Sequence, residues 1–243
     1  MKKRLLITGA TSGIGLDFLK KNINKNYEFF LIGRNFSKID SLIKNKKYKS
    51  KIKIINFDLR NNLNKINFKK IPKFDYVVLS AGIFKQNLIR DFNEKLFDEI
   101  IQVNLVQTAK LLGFLVKNNK LNSKASIVVV SSISGYKMAF NFHYAYSISK
   151  AGLIAMTKSL ANELSIKLIR INSIAPGMVN TSFTKLFNDD KYLTRIDQEK
   201  YLLGKRYAKI SEISNVIEFL LSSKSSFITG ETIVVDGGFT LTR

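Results

Sequence analysis

The chain has 243 residues, 45% of them hydrophobic, which is enough to bury one full core and suits a single domain over residues 1–243. It has no cysteine, so disulfide bonds and cysteine-ligated metal sites are excluded, and no metal site is predicted. The net charge of +22 favours acidic partners or polyanions, but no nucleic-acid-binding motif accompanies the dispersed lysines, so no specific nucleic-acid role is predicted.

The first residues resemble the start of a signal peptide, but the apolar segment is too short. A basic start at residues 1–4 is followed by a short apolar run, which breaks at Thr8 and Gly9. No later apolar run approaches the roughly 18 residues that a membrane span needs. We therefore expect a cytoplasmic protein without a membrane-spanning segment.

A short apolar strand at residues 3–8 runs into a glycine-rich turn and then into a helical pattern. This order directs backbone N–H groups and the positive end of a helix at one spot, and the glycines permit the close approach of a pyrophosphate. A plain turn between a strand and a helix is the alternative interpretation. The pyrophosphate interpretation predicts contacts from Thr8, Gly9, Thr11, Ser12, Gly13, Ile14 and Gly15.

The second predicted strand, residues 28–32, ends at Gly33 and Arg34, with no acidic residue at its end. In dinucleotide-binding folds an acidic residue here binds the ribose 2′-hydroxyl, whereas an arginine accommodates a 2′-phosphate. Arg34 therefore predicts NADP(H) as the cofactor, with Lys38 as a second cationic group. The alternative is an arginine on a solvated loop.

Further apolar strands alternate with helical stretches, and they lie at residues 51–57, 76–79, 127–132, 169–174 and 232–235. The alternation predicts an α/β fold of the Rossmann type, a doubly wound, mostly parallel seven-stranded sheet with helices on both faces. Ligands bind at the carboxyl edge of such a sheet, where Thr8, Arg34, Asp58 and Ala81 are predicted to lie. A long helix over residues 92–117 carries Asn104 on its inner side, and residues 182–208 are predicted to form a lid of short helices.

Tyr146 and Lys150 are four residues apart in a helical stretch, so their side chains share a face of the helix. An ammonium within roughly 4 to 6 Å favours the phenolate and lowers the pKa of a tyrosine from about 10. The pair therefore suggests a proton donor, although the same spacing is common on helix surfaces.

Taken together, these motifs resemble the short-chain dehydrogenase/reductase family over residues 8–238. The glycine motif at residues 8–15 and the Tyr-x-x-x-Lys motif at Tyr146 and Lys150 are similar to the family's. The resemblance implies that Ser132, Tyr146, Lys150 and Asn104 are catalytic. It also implies cofactor contacts from Asp58, Leu59, Ser80, Ala81, Gly82, Tyr146, Lys150, Pro176, Gly177, Val179 and Thr181.

The chain departs from the family at two places. Leu79 and Ser80 stand where the family usually has Asn-Asn before Ala-Gly, so an amide that ties strands together is lost and the junction is expected to be less rigid. The interval before Tyr146 is also one residue longer than is commonest, which leaves Ser131 and Ser134 as alternatives to Ser132. The Ser-x-x-Gly motif at residues 132–135 favours Ser132 as the catalytic serine.

The implied reaction is hydride transfer from NADPH to a carbonyl carbon, with Tyr146 as the proton donor. Lys150 would lower the tyrosine pKa and hold the nicotinamide ribose, and Ser132 would hydrogen-bond the carbonyl oxygen. Asn104 would anchor a water molecule that resupplies the proton. His143, the only histidine, is the alternative proton donor.

Within the family, three segments most resemble 3-oxoacyl-acyl-carrier-protein reductases, namely residues 81–88, 203–206 and 227–238. The resemblance implies a homotetramer, formed through residues 92–117, residues 144–167 and the last strand and helix. It also implies an acidic acyl carrier protein as partner, which basic residues near the site mouth would meet. Lys167 stands at one of the expected basic positions, but Ser123, beside Lys124, stands at the other, so only half of the docking pattern is kept. The alternatives are a reductase of a sugar, polyol or small hydroxy-ketone, and a non-catalytic cofactor- or polyanion-binding protein.

Overall fold

The computed structural model describes residues 2–61, 66, 71–86, 88–138, 140–181 and 198–242. Within these ranges, seven parallel strands form one sheet in the order β3-β2-β1-β4-β5-β6-β7. The strands are β1 (Lys3–Thr8), β2 (Tyr27–Gly33), β3 (Ile52–Asn56), β4 (Phe74–Leu79), β5 (Leu121–Val130), β6 (Arg170–Pro176) and β7 (Thr232–Val235). The predicted Rossmann-type parallel fold in a single domain is confirmed.

Helices cover both faces of this sheet. They are α1 (Gly13–Asn22), α2 (Asp40–Lys44), α3 (Lys46–Lys49), α4 (Glu94–Ile101), α5 (Gln107–Lys117), α6 (Tyr144–Leu164) and α7 (Ile210–Leu221). A π-helical turn, Gln102–Val106, joins α4 to α5, so the predicted long helix is one continuous element from Glu94 to Lys117.

The strands are apolar on both faces because successive side chains point into different cores. Leu6 of β1 and Val129 of β5 belong to the core that also contains Leu112 of α5 and Leu153 of α6. The next residue along a strand points to the other face of the sheet. Ile7, for example, lies in the core that this face forms with α1 and α7. The alternation explains why each predicted strand reads as a nearly continuous apolar run.

Strand β5 differs most from its predicted bounds. It begins at Leu121 instead of Ile127, because its first residues pair with β4 beyond a register shift between Phe74 and Tyr76. It ends at Val130, so Ser131 and the residue after it lie beyond the strand, at the carboxyl edge of the sheet. This ending places both serines at the edge where such sheets bind ligands.

Among the described residues, the helix Glu94–Lys117 is the one element with the length and apolar composition of a membrane span. Its Ile100, Leu111, Leu112 and Leu115 are fully buried in the protein core. Core packing therefore accounts for its apolar composition.

The predicted lid falls partly outside the described residues, which resume at residue 198. In its described part, residues 198–208, the buried rings of Tyr201 and Tyr207 lie 5.6 Å apart, and the Tyr201 ring lies 4.7 Å from that of Phe239. This end of the segment is therefore anchored to the body of the fold.

Candidate active site

The glycine-rich turn between β1 and α1 packs against the segment that follows β4. Gly9 has a positive φ of 74°, and a Cβ atom there would lie 2.8 Å from the backbone nitrogen of Ala81. A Cβ atom on Gly15 would lie 2.5 Å from both the Gly9 carbonyl oxygen and the Ser80 Oγ. Because larger residues do not fit, the glycines set the tight path by which the chain passes from β1 into the start of α1, as a pyrophosphate site requires.

Ser80 compensates for the amide that the sequence lacks at this junction. Its Oγ donates a hydrogen bond to the Thr8 carbonyl oxygen at 2.7 Å, and the backbone nitrogen of Ala81 donates to Thr8 Oγ1 at 3.3 Å. The serine hydroxyl thus ties β1 to the segment after β4 in place of the lost amide, and the expected loss of rigidity stays a prediction. The small side chain also fits, since Gly15 approaches it closely.

Asn104 lies in the π-helical turn and is fully buried. Its Nδ2 donates to the Ile83 carbonyl oxygen at 2.9 Å and to Ser149 Oγ at 3.0 Å, and its Oδ1 accepts from the Ile83 nitrogen at 2.8 Å. The amide thus joins the segment after β4 to α6, one residue before Lys150. Both amide hydrogens are used, so a bound water would have to contact an oxygen of Asn104, and that role stays a prediction.

The three candidate serines occupy distinct positions. Ser132 forms a side-chain hydrogen bond with Tyr146. Ser131 Oγ instead donates to the Lys150 carbonyl oxygen at 2.9 Å, and Ser134 contributes its backbone nitrogen, which donates to Ser132 Oγ at 3.2 Å. Ser132 is therefore the serine whose hydroxyl contacts the tyrosine.

Burial dominates the electrostatics of the Tyr146 and Lys150 pair. Burial raises the pKa of Tyr146 to about 12. The hydrogen bond with Ser132 acts in the opposite direction, because it favours the phenolate, but its effect is smaller. Burial also lowers the pKa of Lys150 to about 8. The ammonium of Lys150 is not among the causes that shift the tyrosine pKa, although its Nζ lies 5.5 Å from the centre of the tyrosine ring. This Nζ donates to the Val130 carbonyl oxygen at 3.0 Å, and burial shifts the tyrosine pKa in the direction opposite to the predicted one.

A cavity of about 430 Å³ lies where β2 and β3 end. It is lined by Arg34, Asn56, Phe57, Asp58 and Asn61. The predicted Arg34 and Asp58 thus share one site, whereas Lys38 is exposed on a short turn and Leu59 packs against the core.

The segment after β6 approaches the glycine-rich turn, as the resemblance implies. A Cβ atom on Gly13 would lie 3.8 Å from Thr181 Cγ2. Gly177 donates its backbone N–H to Val235 at 3.0 Å, and Val179 forms an isolated parallel bridge with Ala208. These contacts bring residues 176–181 to the same edge of the sheet as Ser132 and Tyr146.

Three rings that sequence reasoning did not group form a cluster that reaches Tyr146 through Phe84 and His143. The Phe84 ring centre is 4.6 Å from that of His143 and 5.2 Å from that of Tyr146, and the Phe140 ring is 5.3 Å from His143. We call Phe84, Phe140 and His143 the aromatic wall. Burial lowers the pKa of His143, so the wall is uncharged at neutral pH. For His143, the sequence did offer a signal, since the residue lies only three positions before Tyr146.

The basic positions expected near the site mouth lie at the other edge of the sheet. Lys167 follows α6 and precedes β6, and its carbonyl oxygen accepts from Ser123 Oγ at 3.1 Å. At a rise of about 1.5 Å per residue, it lies about 30 Å along the helix axis from Tyr146. Within one chain, the expectation that Lys167 and Lys124 flank the site mouth was therefore wrong.

Comparisons with known proteins agree with this geometry. The family model described as enoyl-(acyl carrier protein) reductase matches residues 9–240. The 3-oxoacyl-(acyl-carrier-protein) reductase FabG of Rickettsia bellii is 34% identical over 236 residues, which cover 96% of this chain and 95% of that protein. The chain belongs to the short-chain dehydrogenase/reductase family. A short chain dehydrogenase family protein from Francisella tularensis has a TM-score of 0.87 at 29% identity, over 99% of this chain and 100% of that one.

Solved short-chain dehydrogenase/reductase structures that resemble this chain hold either form of the nicotinamide cofactor. 4-Hydroxyisoleucine dehydrogenase complexed with NADH has a TM-score of 0.88 at 30% identity, over 98% of this chain and 99% of that one. ElxO with NADP bound has a TM-score of 0.85 at 26% identity, over 100% of both chains. The chain is thus an oxidoreductase of this family that uses a nicotinamide dinucleotide.

Proposed function

We propose that this protein reduces a carbonyl to an alcohol with NADPH, and that its substrate is a 3-oxoacyl thioester on acyl carrier protein. The observation that carries the reaction type is the set of buried Ser132, half-buried Tyr146 and buried Lys150, in which the serine and tyrosine side chains are hydrogen-bonded. The relative named as a 3-oxoacyl-(acyl-carrier-protein) reductase supports the substrate.

The residues present fit a dinucleotide. The glycine-rich turn has no room for side chains at Gly9 and Gly15, and the cavity beside it carries Arg34 and Asp58. Residues of the glycine-rich turn would hold the pyrophosphate, and Lys150 would hold the nicotinamide ribose. The other residues that we propose to contact the cofactor include Ser12, Leu59, Ser80, Gly82, Pro176 and Val179.

NADPH, when bound, supplies the hydride that the carbonyl carbon accepts. Ser132 donates a hydrogen bond to the carbonyl oxygen and opposes the negative charge that grows there. Tyr146 donates its hydroxyl proton to the same oxygen, so the product is an alcohol. A phenol with a pKa of about 12 carries its proton at neutral pH and so has one to give, but it is a weaker acid than an ordinary tyrosine.

The aromatic wall favours an acyl chain over a sugar or polyol. The rings of Phe84 and the uncharged His143 contact that of Tyr146, and Phe140 extends this surface through its contact with His143. Hydroxyl groups of a polyol would lose hydrogen bonds with water against such a surface. A panel that includes acetoacetyl thioesters and small sugars, followed by NADPH absorbance, tests this, and turnover of sugars alone would contradict the thioester proposal.

The choice of NADPH gives a direct prediction for Arg34. Its guanidinium offers a bidentate partner to a 2′-phosphate, and NADH has no such group. Arg34→Ala is expected to raise the KM for NADPH about tenfold or more and to leave the KM for NADH nearly unchanged. Steady-state kinetics with both cofactors measures this, and equal use of both by the unaltered protein would contradict the assignment.

Carrier binding requires a second chain, because Lys167 lies far from the site in its own chain. In the proposed homotetramer, antiparallel pairing of α6 helices from two chains would bring the Lys167 end of one helix to the Tyr146 end of the other. Ile166 and Leu168, which flank the lysine, are 90% and 62% exposed, so this surface suits an acidic protein with apolar side chains. We propose that it docks the carrier in a homotetramer. The cytoplasmic location stays a prediction.

Added salt should separate carrier-bound from free substrates. Surface attraction is screened beyond about 8 Å at physiological ionic strength. We expect kcat/KM for an acyl-carrier substrate to fall steeply with salt and by about tenfold in Lys167→Glu, while a short thioester analogue changes little. Lys20→Glu on α1, at the opposite face of the sheet, is the matched control. An equal response of both substrates, or a monomer by light scattering, would rule out this docking arrangement.

A further inference from the structure

Asp58 lies between two arginines in the cavity at the end of β3, and it contacts them unequally. Arg60 Nη2 and Nε lie 2.8 and 3.1 Å from Asp58 Oδ2, and Nε lies 3.2 Å from Oδ1. Arg34 Nη1 lies 3.7 Å from Oδ2. The hydrogen bonds from Arg60 contribute most to the lowered pKa of Asp58, so the carboxylate is ionised and paired mainly with Arg60.

An ionised carboxylate this close to Arg34 opposes the binding of a 2′-phosphate. It competes for the same guanidinium, and it repels the phosphate through like charge. With Arg60 in place, two positive charges face one negative charge. Without Arg60, Arg34 would pair with Asp58 and the site would have no net charge to offer an anion.

Arg60 is also held away from the centre of the cavity. Its Nη1 lies 3.6 Å from Glu99 Oε1 on α4, and Glu99 Oε2 is paired with Lys85 at 3.2 Å. Contacts on two sides fix the guanidinium against the Asp58 carboxylate. Arg60 is not among the residues that line the cavity, whereas Arg34 and Asp58 are.

We propose that Arg60 is a positioning residue for cofactor choice, which neutralises Asp58 so that Arg34 remains available to the 2′-phosphate of NADP(H). This inference rests on the proposed preference for NADPH. Sequence reasoning missed Arg60, although its place two residues after the predicted cofactor contact Asp58 was visible. The competing explanation is that Arg60 contacts the phosphate itself.

The experiment uses two nucleotides that differ only in the 2′-phosphate, adenosine 2′,5′-bisphosphate and adenosine 5′-monophosphate. Titration calorimetry on the full chain gives the ratio of their affinities without any catalytic step. Arg60→Gln is expected to lower this ratio about tenfold, and Arg60→Lys, which keeps the charge, to retain most of it. Arg90→Gln, at an exposed arginine paired with Asp91, is the matched control and should leave the ratio unchanged.

A double variant distinguishes neutralisation from direct contact. If Arg60 acts through Asp58, adding Asp58→Asn to Arg60→Gln removes the unpaired carboxylate and restores the ratio. If the affinity ratio of the double variant were as low as that of Arg60→Gln alone, the proposal would be overturned in favour of direct contact between Arg60 and the phosphate. An unchanged ratio in Arg60→Gln would overturn it while leaving NADPH preference intact. A ratio near one in the unaltered protein would overturn the cofactor assignment, and this inference with it.

Discussion

Tyr146→Phe is expected to lower kcat by about 100- to 10,000-fold, because it removes the hydroxyl that donates the proton and keeps the ring. The ring contact with Phe84 persists, so cofactor affinity should change little. Steady-state NADPH oxidation and a binding titration measure the two effects separately. Tyr136→Phe, at an exposed tyrosine, controls for loss of a phenol elsewhere.

Near-normal turnover of Tyr146→Phe would place the proton donor elsewhere. His143 would then be tested next, since its ring centre lies 6.4 Å from that of the tyrosine. The histidine would be the proton donor if turnover were lost in His143→Ala and in the double variant His143→Ala/Tyr146→Phe but kept in Tyr146→Phe.

Gly135→Ala should damage both stability and activity. A Cβ atom there would lie 2.5 Å from the Ala151 nitrogen and 2.5 Å from the Lys150 carbonyl carbon, which belong to the backbone of α6 and cannot move alone. Overpacking of this kind destabilises by about 1–3 kcal/mol. A displacement of about 1 Å at Lys150 can lower turnover by about 100-fold, so we expect a loss of that order.

Gly113→Ala is the matched control, because nothing lies within 4 Å of the Cβ atom it would add. It sits inside α5, where alanine is more favourable than glycine by roughly 0.5–1 kcal/mol. Chemical denaturation and NADPH oxidation of both variants measure the difference. A Gly135→Ala protein as stable and active as the control would contradict the packing described between residues 132–135 and α6.

The sequence predicted the sheet well, because its strands are buried on both faces and read as apolar runs between glycine turns. Strand β5 was the exception, since polar residues at 122–124 interrupt the apolar pattern near its start and pairing with β4 is what extends the strand back to Leu121. At the candidate site, the spacing of Tyr146 and Lys150 predicted that they share a helix face, but not the direction of the tyrosine pKa. That direction depends on burial by segments distant in sequence, and so do the contacts of Arg60 and the aromatic wall.

The buried Lys150 also has a consequence for folding. Its pKa is about 8 in the folded protein, below the ordinary 10.5, so at neutral pH the unfolded chain holds the same proton more tightly. At about 1.4 kcal/mol for each tenfold change in proton affinity, the charged lysine destabilises the fold by about 3 kcal/mol below pH 8. This penalty disappears as the pH rises from about 8 to 10.5.

Tyr146 acts in the opposite sense at higher pH. Its pKa is raised from 10.0 to about 12, so the unfolded chain loses the phenolic proton first and stability falls as the pH rises from about 10 to 12. Considered alone, the pair gives the fold an optimum of stability near pH 10, well above neutrality. A protein selected only for stability would replace this lysine with an apolar side chain, so its presence represents stability given up for a working site.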